Sequence, residues 1–314
     1  SMWGLPHSFE EGANKGTALG REVTGPLNHE ILQPFGELVS RTRDGDHQVG
    51  IVSLLSQNSL SPFKEIATSH QTEEIWTACW RLGYSADFLR EADLTKPLTT
   101  YKVVFVPGIR FDGELTDSQL NRLREAITGG TRVVVEVGST LDLPGLTRLN
   151  DWALNDFYMG GYFATWLDDE LNRLYARSQP STDYLRRKFQ EWEIEPSAWG
   201  NFQVGPNWRD GGAMQYMIMA NFDDPPYPHA VKQQMAMPVM LKLAVPARRG
   251  QVAYDLLRQE ELQLTTEQPE NGGARRSFTL DMNRVQGGMV AFTPEKVGHL
   301  HVSWSVADSP RRLR

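Results

Sequence analysis

The stretch VVVEVGST, residues 133–140, ends an apolar run on a carboxylate, Glu136, two residues before Gly138. In many α/β proteins a strand that stops this abruptly holds a nucleophile at its end. A carboxylate in that place can serve as a base or nucleophile if a histidine or an acid stands within hydrogen-bond reach. The sequence assigns Glu136 no such partner, so the other reading is a polar strand end facing a crevice. Ser139 is a second candidate in the same turn. Arg110 and Asp112, in PGIRFDGE, follow another apolar run. They are expected at the C-terminal edge of a sheet, where ligands bind in open α/β folds, or in a solvated loop. The single cysteine, Cys79, falls mid-helix between Trp76 and Trp80 and is not placed to be a nucleophile.

Other polar groups carry less. His299 and His301 share one strand face, but a metal site needs further ligands. Asp168 and Asp169 diverge on a helix, and Asp223 and Asp224 offer loop oxygens of the kind Ca²⁺ takes. We assign no metal and no cofactor. No Gly-x-Gly-x-x-Gly or Walker pattern follows the first strand, and LLSQNSLSP is only a weak candidate nest for an anion. Trp76 and Trp80, at i,i+4, read as core or subunit-interface residues. Trp152, Trp192, Trp199 and Trp208 fall in a bridging segment, where they bury a joint or stack on sugar.

The elements that position these groups follow from the periodicity. Residues 1–24 read as an arm, and 26–42 as a helix with Asn28 as N-cap. Apolar runs at 48–56, 85–91, 101–108 and 131–138 read as strands; the spacing predicts helices over 71–84, ending at Gly83, and 116–130, capped by Thr116 or Asp117 and closed by Gly129-Gly130. Near-continuous apolar strands alternating with helices predict a parallel sheet covered on both faces. The fold class is therefore α/β, a flavodoxin-like doubly wound sheet over 48–165. Two helices separated by Pro180 are expected to bridge over 166–209. Seven short alternating strands between 212 and 306 then predict an antiparallel β-sandwich over 210–308, with 309–314 as a tail and 1–47 as an N-terminal arm and helix.

The totals narrow the function classes. A net charge of −7 in 314 residues argues against coating nucleic acid. No run of 18 apolar residues exists, so no membrane insertion is expected. One cysteine permits no internal disulfide. Ser1-Met2 reads as the remnant of a removed tag, so the chain is expected to be a piece of a longer protein, cytoplasmic or exported with its signal removed.

The order of parts over 70–140 resembles the domain that follows the barrel in family 42 β-galactosidases, which is related to class I glutamine amidotransferases. The residues carrying this are Gly83 ending a helix, Tyr101-Lys102 opening a strand that closes on Pro107-Gly108, and Gly129-Gly130 before the next strand. VAYDLL and MVAFTP are similar in kind to the C-terminal sandwich of such enzymes, and NHEILQPFGELVSR suits the exit helix of a preceding barrel. In amidotransferase-like proteins a cysteine in a Cys-x-Gly pattern occupies the nucleophile elbow; here Glu136-Val137-Gly138 stands at that position. The resemblance implies a bacterial, non-catalytic portion that assembles subunits. Its expected partners are itself, as a homotrimer, or a neighbouring catalytic domain. Two other readings stay open: a carbohydrate-binding module, and a hydrolase working through Glu136 or Ser139.

Overall fold

The structure is a computed structural model that describes residues 33–53, 62–90, 93–109, 113–152, 169–200, 204–221, 240–269, 272–281 and 287–298. The first described elements are helix α1 (Gln33–Arg41) and strands β1 (Arg43–Asp44) and β2 (Val49–Val52). Next come α2 (Pro62–Arg81), β3 (Ala86–Leu89), β4 (Val103–Phe105), α3 (Asp117–Thr128), β5 (Arg132–Glu136), β6 (Thr147–Leu149) and α4 (Asp169–Glu191). Strands β2 to β6 form one parallel sheet in the order β3-β2-β4-β5-β6. In chain order that is 2-1-3-4-5, the flavodoxin-like winding, whose switch point lies between β2 and β4.

Alternation along the strands sorts two cores. Val49, Ile51, Val103, Phe105 and Val134 face α2 and α4; Val52, Val104, Val106, Val133 and Val135 face α3. Helix α3 begins with a capping box: the Thr116 hydroxyl accepts from Gln119 N and the Gln119 amide oxygen accepts from Thr116 N. Helix α2 starts nine residues earlier than its apolar spacing predicts, with Pro62 in the first turn where its missing N–H costs nothing. It ends as expected before Gly83, whose φ of 78° needs a residue without a Cβ.

Two expectations change here. The pair of helices separated by Pro180 is one continuous helix, α4, with Pro180 exposed in its interior, where it lacks an N–H to donate to the turn before it. Helix α4 also packs on the α/β core: Tyr184, Leu185 and Phe189 complete the core shared with α2. The fifth strand, β6, is too short and too polar (Thr-Arg-Leu) to show as a strand in the sequence. Arg148 within it donates to the carbonyls of Ser139, at 2.5 Å, and Leu141, at 2.6 Å, so its polarity serves the neighbouring turn.

The remaining described strands form a sandwich of two antiparallel sheets. Its strands are β7 (Trp199–Gly200), β8 (Val204–Asp210), β9 (Gln215–Asn221), β10 (Met240–Pro246), β11 (Val252–Asp255), β12 (Glu260–Leu262), β13 (Thr265–Glu267), β14 (Arg275–Asp281) and β15 (Gly287–Thr293). One sheet has the order β1-β8-β9-β15-β11-β12 and the other β13-β14-β10-β7. Trp208, Met217 and Phe292 from the first sheet meet Leu241, Leu243 and Phe278 from the second. The run LQLTT, expected as one strand, divides between the sheets: β12 ends at Leu262, β13 starts at Thr265, and Leu262 and Leu264 pack on the core. The strand expected over 299–306 lies outside the described residues.

The N-terminal segment belongs to both halves. Strand β1, ahead of the parallel sheet, pairs with β8 at the sandwich edge. Arg209 of β8 caps the end of α1 by donating to the Val39 and Thr42 carbonyls at 2.8 and 2.7 Å. The Gly83 carbonyl accepts from Ser197 N, Ser197 Oγ and Ala198 N, fixing the linker to the end of α2. The joint is therefore built of backbone groups with assigned partners, which is what buried polar groups require.

Candidate functional site

The C-terminal edge of the parallel sheet carries Ser53 after β2, Val106-Pro107-Gly108 after β4, and Glu136 at the end of β5. Gly108 has a φ of 76°, a conformation that favours a residue without a Cβ, and its N–H donates to Glu136 Oε1 at 3.3 Å. Glu136 shares the face of Val134 and is 1% exposed. It is still paired in the parallel ladder, with Leu149 as its register partner. Its φ is not positive, and neither is that of Gly138. A nucleophile elbow is a sharp, strained turn that lifts its side chain above the sheet; here the strand runs extended through Glu136 and the chain turns after it.

Ser139 also serves its own loop. It is 6% exposed, its hydroxyl accepts from Leu141 N at 3.3 Å, and its N–H donates to the Glu136 carbonyl at 3.2 Å. Thr140 N donates to the Ile109 carbonyl at 2.8 Å, a second tie between the loops after β4 and β5. The structure thus brings Glu136, Ser139 and Gly108 together as a loop clasp. Arg110 and Asp112 lie outside the described residues. Among the described histidines, His47 stands before β2, at the opposite end of the sheet from Glu136, with Nδ1 2.8 Å from Ser85 Oγ. His299, His301, Asp168, Asp223 and Asp224 also lie outside the described residues. Among the described residues no group of three or more His, Cys, Asp or Glu could hold a metal ion, and no helix is long and apolar enough to cross a membrane.

The aromatic candidates separate by burial. Trp80 is 4% exposed and stacks on the partly buried Trp76 at 5.4 Å. Trp76 in turn stacks on Phe88 of the edge strand β3 at 6.1 Å, and Phe88 is 38% exposed. Only the outer end of this stack reaches the surface. The exposed member, Phe88, was not singled out from the sequence; a Phe in a four-residue strand gives no signal of which face it takes. Of the bridging tryptophans, Trp152 is buried in the α/β core and Trp208 in the sandwich core. Trp192 packs against the α/β core with Arg132 over its ring, and Trp199 lies under Arg275.

Cys79 is fully buried, and burial pushes its thiol well above the usual range. The folded protein is expected to react with a thiol reagent at pH 8 only through unfolding, so its rate should match the unlocking of the α/β core. Prompt stoichiometric labelling without denaturant would show that α2 opens locally.

No protein-family model matches this sequence, and no curated protein sequence matches it. Solved structures do. The α-L-fucosidase isoenzyme 2 from Paenibacillus thiaminolyticus matches with a TM-score of 0.50 at 10% identity, over 85% of this chain and 51% of that one. A GH42 β-galactosidase from G. stearothermophilus matches with a TM-score of 0.44 at 11% identity, over 80% of this chain and 41% of that one. A β-galactosidase from Rahnella sp. R3 gives 0.41 at 12% identity, over 80% and 41%. The chain spans about half or less of the length of these structures. The likeness is one of fold: a parallel α/β unit followed by a sandwich, as it occurs within part of a glycoside hydrolase.

Proposed function

We propose that this chain is a non-catalytic assembly portion of a glycoside-hydrolase-like protein, holding copies of itself or a neighbouring catalytic domain in place. The observation that carries this reading is the use of Glu136. Its carboxylate is buried and accepts the Gly108 N–H, its backbone is extended, and the Ser139 hydroxyl is engaged within its own turn. A carboxylate held in this way serves to clasp the two loops. The chain shares its fold with about half of the fucosidase, as a portion of a larger protein would. The contact surface we assign is the Trp76–Phe88 end of the aromatic stack on the edge of β3, which pairs with no further strand among the described residues, with Trp80 as its buried support.

Light scattering on a sizing column across a concentration series tests this. A trimer is the expected mass, unchanged by Glu136→Gln, whose amide oxygen still accepts from Gly108. Phe88→Glu should lower the mass without altering the fold. A monomer at every concentration, or glycoside turnover by the chain that Glu136→Gln abolishes, would overturn the reading.

A further inference from the structure

A cleft of about 500 Å³ opens at the other end of the sheet from Glu136, beside the β3 edge, on the face covered by α3. Its apolar floor comes from the exposed Pro97 and the half-buried Tyr101, since Leu89 and Leu98, each 2% exposed, offer a ligand no surface. One wall is Asp87, whose Oδ2 accepts from the Tyr101 hydroxyl at 3.0 Å. A second wall is the Asp93–Lys96 pair, N to O 2.7 Å. The lip is Asp46 with His47, and Asp46 is tied across the joint to Arg249 at 3.4 Å. This is the size of an ordinary small-molecule site, about 300–1,000 Å³, and domain joints are a common place for one.

The lining selects a class of ligand. Three carboxylates against one ammonium repel phosphate or a carboxylate. A small hydrated cation would have no use for the apolar floor. A neutral polyhydroxylated ring uses every part: its C–H face covers Pro97 and the Tyr101 ring, its hydroxyls donate to Asp87 and Asp93, and its oxygens accept from Lys96. We infer that this cleft binds a neutral polyol of mono- to disaccharide size. This goes beyond the assembly role and is independent of it, since Phe88 and Asp87 take opposite faces of β3.

Saturation-transfer NMR with glucose, galactose, mannose and myo-inositol as probes, and glucuronate as the anionic control, tests it on the full chain. At least one neutral probe should give a saturable signal with a Kd on the order of millimolar. Asp87→Ala and the surface change Lys96→Ala should each weaken it roughly tenfold or more, the size of one hydrogen bond to a charged group. Glucuronate should bind roughly tenfold more weakly than glucose. Absence of a saturable signal from every neutral probe would overturn the inference, as would binding that survives Lys96→Ala in a protein with unchanged melting, or glucuronate binding as tightly as glucose. The molar mass of the protein bears on none of these outcomes.

Discussion

Phe189→Ala is expected to remove about 3–5 kcal/mol from the stability of the α/β half, the cost of truncating a buried aromatic and leaving its cavity. Phe189 is 0% exposed. Its ring meets Tyr84 at 4.1 Å, Trp192 at 6.0 Å and, edge on, Phe105 of the sheet at 6.2 Å. It is the residue through which α4 reaches the sheet, so the loss measures how far the helix belongs to this half. A domain has only about 5–15 kcal/mol in total, and a fragment ending at residue 165 should therefore not fold at all. Urea unfolding followed by tryptophan fluorescence reads the first, and circular dichroism of the fragment reads the second. A loss below about 1 kcal/mol, well under the range for a buried aromatic, together with a folded fragment, would mean that α4 contributes little to the α/β core and serves chiefly as a bridge.

That contrast explains what was legible in the sequence. The parallel strands were, because burial on both faces makes them near-continuous apolar runs: Val103 to Val106 and Val133 to Val135 carry both cores. Helix α3 was, because its capping box and its terminal glycines are local signals. What α4 packs against was not, because the residues it buries are few and lie among charges. Strand β8 was hidden for a related reason. Val-Gly-Pro-Asn-Trp-Arg-Asp has no alternation, and Pro206 argues against a central strand. Its sandwich-edge place, covered only in part by β1, makes the proline tolerable. That β1 would cross to the other half could not be read from two residues, Arg43 and Asp44; the pairing is set by tertiary contacts such as Gly45 N to the Trp208 carbonyl at 2.9 Å. Of the candidate site, the position of Glu136 at a strand end was legible. Its burial and its partner Gly108 were not, since a carboxylate that clasps a loop and one that does chemistry are the same letter.

Trp208→Ala should be the most damaging single change in the sandwich, about 3–5 kcal/mol. Trp208 is 0% exposed; Phe292 lies 5.6 Å from its ring and the Arg249 guanidinium 4.2 Å over it. The arginine is itself buried, and that burial pulls its pKa down against the opposing pull of Asp46. What holds the charge there is its hydrogen bond to Gln215 at 2.8 Å, its pairing with Asp46 and the ring face below it. Removing the indole therefore opens a cavity and also takes away one of the groups that compensate a buried cation. A double-mutant cycle of Trp208→Leu with Arg249→Leu separates these effects. The coupling should be about 0.5–2 kcal/mol, the range for a cation over an aromatic face. Because Asp46 adjoins β1, Arg249→Leu alone should also loosen the β1–β8 pairing, visible as faster amide exchange at Gly45. Zero coupling with unchanged exchange at Gly45 would mean that the β1–β8 pairing and the Gly83 contacts hold the joint without the arginine, which then only fills space beside Trp208.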